Sequence, residues 1–293
     1  MPIRPLRQLI AAALIAAQTT ATAEPAAQYL GSYRWTQPDP LFGGVSGIEL
    51  DRTGTLLTAI TDRGLLIRGR IARQNGRITG VDVKTVEPLR ARDFVPLRDK
   101  GTDAEGLVVT PQGVVFVSFE QIHRILRYDP HRDEIRRLPE PPGVARLGKN
   151  SGFEALAQHP DGALFTIPER SGGRQAPFPL LRFDGSTWKV AARIPRRGPF
   201  LPVGADFDGD GRLYLLERTI TPLGFRSRIR RFVLSAPDLA EVTLLTTRPN
   251  LHDNLEGIAV WRDARGVTRL TMVSDDNFLR FQRTELVDYA VTE

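Results

Sequence analysis

A short segment recurs five times along the chain, at intervals of about fifty residues. In each copy a small residue opens an apolar strand that runs to a turn glycine, and a second apolar strand follows. The copies occupy residues 46–54, 105–113, 154–162, 203–211 and 256–266, the last with two extra residues in its turn. One four-stranded blade of a β-propeller has a repeat of this length. The sequence therefore predicts an all-β propeller of five blades.

The stretches outside the repeats are expected to supply the outer strands and the ends of the ring. Apolar residues alternate over short runs broken by Gly, Pro, Asp and Asn, which is typical of strands joined by turns. Residues 29–35 precede the first copy, and residues 278–291 follow the last. Pairing of these two segments in one blade would close the ring and remove exposed sheet edges. A sixth blade could lie within residues 89–103, although that stretch is short.

The N-terminal segment has the order of parts typical of a secretory signal peptide. Arg4 and Arg7 precede the apolar residues 9–17, and Ala21-Thr22-Ala23 forms a cleavage motif. The apolar run is about half as long as a membrane-spanning helix requires. We expect residues 1–23 to be removed, leaving residues 24–293 as a single propeller domain in the periplasm or outside the cell.

The composition limits how this domain is stabilised and what it binds. The chain has no cysteine, so an exported form cannot depend on disulfides. Its net charge of +6 falls to +4 when the two arginines of the signal peptide are removed. Arginine supplies most of the positive charge, and its planar guanidinium suits phosphate and carboxylate. No nucleic-acid-binding motif and no second apolar span occur. We expect a monomer that binds a small anionic substrate or ligand, without nucleic acid or a membrane span.

Three carboxylates occupy one position of the repeat: Glu105, Glu154 and Glu256. The other two copies have Ser46 and Val203 at this position. Equivalent positions of a propeller surround a common axis, so the three carboxylates are expected to converge there. Asp103 and Asn254 lie two residues before Glu105 and Glu256, and therefore on the same side of their strands. Such oxygen donors predict a Ca²⁺ site that would also be catalytic. Alternatively, each glutamate accepts backbone N–H groups from a neighbouring blade.

A second set of acids ends the second strand of each copy, and three of them precede an arginine: Asp62-Arg63, Glu169-Arg170 and Glu217-Arg218. Because neighbouring residues of a strand face opposite ways, Arg63, Arg170 and Arg218 could form a clamp for an anionic substrate. Ion pairs between blades are the alternative. His252 is the histidine best placed for proton transfer, since Glu256 follows it closely. A solvent-facing loop histidine is the other interpretation.

One segment of the fourth copy matches a calcium-loop pattern. Asp206, Asp208 and Asp210 precede a glycine, and Glu217 lies six residues beyond that glycine, which satisfies D-x-D-x-D-G-x₅-E. Strand patterns on both sides argue against an EF-hand. We therefore interpret the segment as a hairpin turn, with a calcium site at the three aspartates as a weaker hypothesis.

Several of these segments resemble the phytase-like propeller family, which is labelled for the esterase-like activity of phytase. The resemblance is carried by residues 43–64 and 206–218 and by the later segments 105–107, 153–157 and 255–261. It implies an exported propeller that hydrolyses phosphate or carboxylic esters, and calcium held by clustered carboxylates.

Motifs of other hydrolases do not occur in the sequence. There is no G-x-S-x-G nucleophile motif and no H-E-x-x-H zinc motif. The leading hypothesis is therefore a metal-dependent hydrolase with Ca²⁺ on the axis. A non-catalytic propeller that binds an anionic ligand or a partner protein is the first alternative, because the same fold serves both uses. A calcium-dependent lactonase is the second.

Overall fold

The computed structural model describes residues 26–91, 95–98, 101–144, 147–148, 151–234 and 239–292. The predicted signal peptide, residues 1–23, lies outside the described residues. Twenty strands form five antiparallel sheets of four strands each, and no helix is among the elements of the described ranges. Within these ranges no helix has the length and apolar character needed to cross a membrane. The prediction of a five-bladed, all-β propeller is confirmed.

Each of the first four blades is a consecutive run of strands, in which the repeated segment supplies the inner strand and its neighbour. Blade 1 contains β2 (Val45–Leu50), β3 (Leu56–Thr61), β4 (Leu65–Gln74) and β5 (Arg77–Pro88). Blade 2 contains β6 (Ala104–Val109), β7 (Val115–Phe119), β8 (Arg124–Asp129) and β9 (Glu134–Arg137). Blade 3 contains β10 (Ala155–Gln158), β11 (Leu164–Ile167), β12 (Phe178–Phe183) and β13 (Trp188–Ile194). Blade 4 contains β14 (Leu201–Phe207), β15 (Arg212–Thr221), β16 (Gly224–Leu234) and β17 (Leu239–Thr246).

The fifth blade joins the two ends of the chain. It contains β18 (Asn254–Arg262), β19 (Thr268–Asp275), β20 (Glu285–Val291) and, as its outermost strand, β1 (Ala27–Arg34). Strand β1 pairs antiparallel with β20 from Ala27 opposite Val291 to Arg34 opposite Glu285. The predicted closure of the ring is therefore confirmed. Residues 89–103 form no sixth blade where they are described, since the segment contains only an isolated bridge between Arg90 and Pro96.

An aspartate and a glycine build several of the hairpin turns between the two repeated strands. In blade 1, Asp51 Oδ1 accepts the backbone N–H groups of Thr55 and Leu56 at 2.7 and 2.8 Å. Gly54 in the same turn has a φ of 69°, a left-handed conformation that glycine adopts without strain. Asp208 of blade 4 accepts the backbone N–H of Arg212 at 2.9 Å. The turn glycine of the repeat thus marks one fixed end of every inner hairpin.

The core lies between neighbouring blades. Phe165 of blade 3 packs against Phe207 of blade 4 with ring centroids 5.1 Å apart. Val45 and Ile67 of blade 1 share a buried cluster with Val273 of blade 5. This packing sets the five inner strands around the axis, with their first residues together at one end.

Candidate functional site

Register shifts mark the start of four of the five inner strands. The extra residue lies between Val45 and Gly47 in β2, between Ala104 and Leu107 in β6, between Pro202 and Gly204 in β14, and between Leu255 and Gly257 in β18. These bulges contain the repeat position that carries Ser46, Glu105, Val203 and Glu256. A β-bulge redirects a side chain from the regular alternation of a strand. The bulges therefore set the direction of the side chains at the repeat position.

The three glutamates at this position line one narrow space on the axis. Glu105, Glu154 and Glu256 border it together with residues of β2 and β14. The strands around this space are in close contact: a Cβ atom added to Gly106 would lie 2.7 Å from the backbone oxygen of Glu154. The structure therefore brings the three glutamates together around the axis, as the repeat predicts.

A candidate metal centre lies beside this space. One carboxylate oxygen from each of Asp103, Glu105 and Glu120 lies within 4.8 Å of the others. Two oxygens bound to one Ca²⁺ at 2.3–2.6 Å are at most about 5 Å apart, so this separation fits a shared calcium ion. Hydrogen bonds hold two of the three carboxylates: Glu120 Oε1 accepts the N–H of Gly152, and Asp103 Oδ2 accepts from Gln121 Nε2, both at 2.7 Å. The donor set consists of hard oxygen ligands, which Ca²⁺ prefers.

More carboxylates surround this centre, and their pKa values are raised. Burial, followed by the charges of Asp103 and Glu256 among others, raises the pKa of Asp62 to about 7. Burial and neighbouring acids likewise raise the pKa of Glu120 to about 7 and that of Asp275 to about 8. The pKa of Glu105 is raised well above its usual value by burial and then by the other glutamates. Without a bound cation, this acidic cluster therefore retains protons near neutral pH.

Arg218 lies within the acidic cluster. Its Nη1 donates to Asn254 Oδ1 at 2.5 Å and to Glu256 Oε1, and its Nη2 lies 3.9 Å from Glu169 Oε1. Asn254 also donates to Glu256 Oε1, at 2.9 Å. Arg218, Asn254 and Glu256 therefore form an ion-paired, hydrogen-bonded group within the acidic cluster. The oxygen of Asn254, predicted as a calcium ligand, accepts from Arg218.

The three arginines of the predicted anion clamp have different surroundings. Arg218 is paired with acids, and the Cζ atom of Arg63 lies 3.3 Å from the ring centroid of Phe278. Arg170 is exposed, with its Nε 3.2 Å from Glu169 Oε2. The three guanidiniums therefore have different partners, namely acids for Arg218, the ring of Phe278 for Arg63 and Glu169 for Arg170, and the clamp stays a prediction. Arg218 of blade 4 and Glu256 of blade 5 form an ion pair between blades, which is the alternative interpretation of these arginines.

His252 is buried in the loop that leads into blade 5, against β1 and β20 of that blade. Its Nε2 is hydrogen-bonded to the hydroxyl of Tyr289 at 2.7 Å, and its Nδ1 lies 3.9 Å from Glu285. Burial lowers the pKa of His252, against the opposing charge of Glu285. Because the residue is only 4 % exposed, it is not a solvent-facing loop histidine. Its described polar contacts are with Tyr289 and Glu285 and not with Glu256, and its role in proton transfer stays a prediction.

The calcium-loop pattern of blade 4 is a hairpin turn. Asp206 accepts the N–H groups of Val260 at 2.6 Å and Phe207 at 2.7 Å. Asp208 caps the turn, and Asp210 is paired with Arg262. Asp206 and Asp208 line a cavity of about 560 Å³ at the opposite mouth of the ring.

Glu217, which the pattern requires as the last calcium ligand, lies in the middle of β15, opposite Pro202 near the start of β14. It accepts from Arg230 Nη2 at 2.6 Å and from Arg228 Nε at 2.7 Å. Backbone N–H groups and arginines take up the carboxylates of the three aspartates and of Glu217, and a calcium site at the three aspartates stays the weaker hypothesis.

Glu120, Asp62 and Asp275 are members of the acidic cluster that the predicted ligand set did not include. A signal for them is present in the sequence, because an acid ends the second strand of every repeat. The second strand runs antiparallel to the inner strand, so its last residue lies beside the inner strand's first. Glu120 N donates to Asp103 O at 2.8 Å across this pair.

Comparisons with known proteins give one family and several similar folds. A family model described as "Phytase-like: Esterase-like activity of phytase" matches residues 40–278. No curated protein sequence matches the chain significantly.

Three similar solved structures are enzymes from bacteria. A gluconolactonase from Xanthomonas campestris is 15% identical over 84% of this chain and 72% of its own, with a TM-score of 0.44. A virginiamycin B lyase from Staphylococcus aureus is 15% identical over 87% of this chain and 72% of its own, with a TM-score of 0.44. The PQQ-bound aldose sugar dehydrogenase from Streptomyces coelicolor is 14% identical over 89% of this chain and 98% of its own, with a TM-score of 0.49.

Proposed function

The chain belongs to the phytase-like family, described by the esterase-like activity of phytase, and from this membership we propose that it is an exported, metal-dependent hydrolase of phosphate or carboxylic esters. The observation that carries the proposal is the convergence of Asp103, Glu105 and Glu120 to within 4.8 Å beside the axis. The pattern of residues 1–23 supports export.

The metal ligands in this proposal are Asp103, Glu105 and Glu120, and Ca²⁺ is the cation that suits their oxygens. When bound, the cation would polarise a phosphoryl or acyl oxygen or lower the pKa of a water molecule. Its charge would also favour the ionised form of carboxylates whose pKa values burial raises.

Glu154 and Glu256 have different roles in this proposal. Glu256 is held by Arg218 and Asn254, so it positions the guanidinium beside the site. Glu154 forms no hydrogen bond with a described side chain, and burial raises its pKa well above the usual value. In this proposal its carboxylate, ionised once a cation is bound, is the general base that accepts a proton from the attacking water.

The experiment that tests this function is hydrolysis by the purified protein of an aryl phosphate, an aryl acetate and a simple lactone. Each substrate is assayed with added Ca²⁺ and with a chelator. Calcium-dependent turnover of an aryl ester would support the proposal and identify the ester class. Turnover of the lactone alone would make the protein a calcium-dependent lactonase. Ca²⁺ binding without any turnover would favour a non-catalytic binding module.

Substitution of the axial glutamates tests the assignment of residues. Glu105→Gln, Glu154→Gln and Glu256→Gln are each expected to lower kcat/KM by about a hundredfold or more, because each removes a charge from the site. Glu49→Gln is the matched control, since Glu49 is an inner-strand glutamate beside the cavity at the opposite mouth. Circular dichroism would verify that the variants are folded. Unchanged turnover in all three axial variants would contradict the assignment.

A further inference from the structure

An arginine-rich pocket lies beside the acidic cluster. Its volume is about 870 Å³, and three guanidiniums line it together with Gln175 and Leu201. Arg170 and Arg174 come from the loop after β11, and Arg196 comes from the loop before β14. Ligand pockets of drug-sized molecules have volumes of about 300–1,000 Å³. The pocket is therefore large enough for a complete small molecule or for one half of a longer one.

Most of the positive charge in this pocket is not neutralised. Arg174 is exposed and forms no hydrogen bond or ion pair with any residue that the structure describes. Arg196 donates from Nη1 to the backbone oxygen of Gly173 at 3.3 Å, while its buried Nε has no partner among the described residues. No Asp or Glu of the described chain lines the pocket. An anion is the ligand that complements this arrangement.

Glu169 connects the pocket to the acidic cluster. Its Oε2 lies 3.2 Å from Arg170 Nε, which faces the pocket. Its Oε1 lies 3.9 Å from Nη2 of Arg218, which is paired with Glu256 in the cluster. One carboxylate therefore contacts an arginine of the pocket and an arginine of the acidic cluster.

We propose that the pocket of Arg170, Arg174 and Arg196 binds a carboxylate or phosphate group on the part of the substrate that is not hydrolysed. This inference builds on the proposed function, in which the ester lies at the acidic cluster. The substrate is then an ester with a separate anionic group. Arg218 and Arg63 do not line this pocket and are not assigned to this group.

Titration calorimetry of the purified protein with inorganic phosphate and with succinate, in the presence of a chelator, tests the pocket without any catalysis. We expect binding of at least one probe with one site per chain. Arg174→Gln and Arg196→Gln are each expected to weaken it about tenfold, the usual effect of losing a hydrogen bond to a charged group. Stronger binding of phosphate or of succinate identifies which anion the pocket prefers.

Arg265→Gln is the matched control, because Arg265 is an exposed arginine in the turn at the opposite end of blade 5. It should bind the probes as the wild type does. The proposal is overturned if neither probe binds to the wild type, or if Arg174→Gln and Arg196→Gln bind as tightly as the control. Thermal unfolding of each variant verifies that the fold is retained.

Kinetics separate this proposal from the proposed function. Two esters with the same leaving group are compared, one neutral and one with a second carboxylate. Arg174→Gln is expected to lower the ratio of kcat/KM for the anionic ester to that for the neutral ester about tenfold. If Arg174→Gln hydrolyses both esters with the same ratio of kcat/KM as the wild type, the proposed anion pocket is overturned and the proposed hydrolase function is retained. Arginine-dependent binding of the probes without hydrolysis of either ester supports the pocket and overturns the hydrolase.

Discussion

Glu120→Gln is expected to stabilise the metal-free protein above neutral pH and to weaken its binding of Ca²⁺. Glu120 is buried directly after β7, and its Oε1 accepts the N–H of Gly152 at 2.7 Å. Glutamine has nearly the same shape, and its amide oxygen can accept the same hydrogen bond. The substitution therefore removes a charge while it retains this contact.

The expected magnitude follows from the pKa of Glu120. Burial, with smaller contributions from neighbouring acids, raises this pKa from 4.5 to about 7. The proton on the folded state therefore stabilises the metal-free protein fully below pH 4.5, and this contribution is lost as the pH rises through about 7. A shift of about 2.5 units corresponds to about 3 kcal/mol of unfolding free energy. The wild type bears this cost at about pH 8, whereas the glutamine variant does not.

Urea denaturation at about pH 5 and about pH 8, with a chelator or with saturating Ca²⁺, measures the effect. With the chelator, Glu120→Gln is expected to exceed the wild type by about 3 kcal/mol at the higher pH and by less than about 1 kcal/mol at the lower. Ca²⁺ should then stabilise the wild type more than the variant, because it binds the native wild type more tightly.

Glu87→Gln, an exposed substitution on β5, is the control and should behave as the wild type in all four conditions. The desolvation reasoning is refuted if Glu120→Gln is no more stable than the wild type at the higher pH with chelator. If Ca²⁺ stabilises the wild type and Glu120→Gln equally, Glu120 is not a ligand of the cation.

Two further substitutions test a buried ion pair of blade 4 and a close contact between two inner strands. Arg230→Met should lower the free energy of unfolding by about 3 kcal/mol, because it leaves Glu217 buried without one of its two arginines. This value is at the lower end of the range for broken buried pairs, since Glu217 still bonds Arg228. An unchanged urea midpoint would contradict the prediction. Gly106→Ala should cost about 1–3 kcal/mol and weaken Ca²⁺ binding, because its Cβ would lie 2.7 Å from the backbone oxygen of Glu154. Gly209→Ala is the control for the second change, since its Cβ would meet nothing within 4 Å. The predicted effect is refuted if titration calorimetry finds the same Ca²⁺ affinity in both variants.

The fold could be predicted because each blade repeats the same local pattern. The turn glycine needs a left-handed conformation, as Gly54 and Gly211 have, and the small residue after the bulge needs space for a neighbouring inner strand. Both requirements restrict which residue types can occur at fixed intervals along the chain, so the repeat can be recognised in a single sequence. The closure by β1 and β20 follows from the same logic, since an unpaired β18–β20 sheet would lack its fourth strand.

The site was predictable only where it follows the repeat. Glu105, Glu154 and Glu256 share one repeat position, and the structure places them around one space. The surroundings of Arg218 depend instead on Glu256 of the adjacent blade, and those of His252 on Tyr289, which is distant in the sequence. A pattern within one repeat carries no information on such contacts between distant residues.

The pKa values of the carboxylates shift in opposite directions at the two ends of the inner hairpins. At the turn end, Asp51 loses solvent on burial, but the N–H groups of Leu56 and Thr55 and the hydroxyl of Thr53 lower its pKa, so its ionised form stabilises the turn. At the other end, Glu105 and Glu154 have no such donors among the described side chains, and burial with mutual repulsion raises their pKa values.

Ionised carboxylates at that second end therefore reduce the stability of the metal-free fold, and Arg218 offsets only part of their charge. A bound cation would offset the remainder at the place where the carboxylate oxygens converge. The same charges that destabilise the empty ring would then give it affinity for Ca²⁺, which is the usual relation between a strained functional site and its ligand. On this basis a metal-free preparation should be the less stable form, and the acidic end of the ring should be the part that a cation stabilises most.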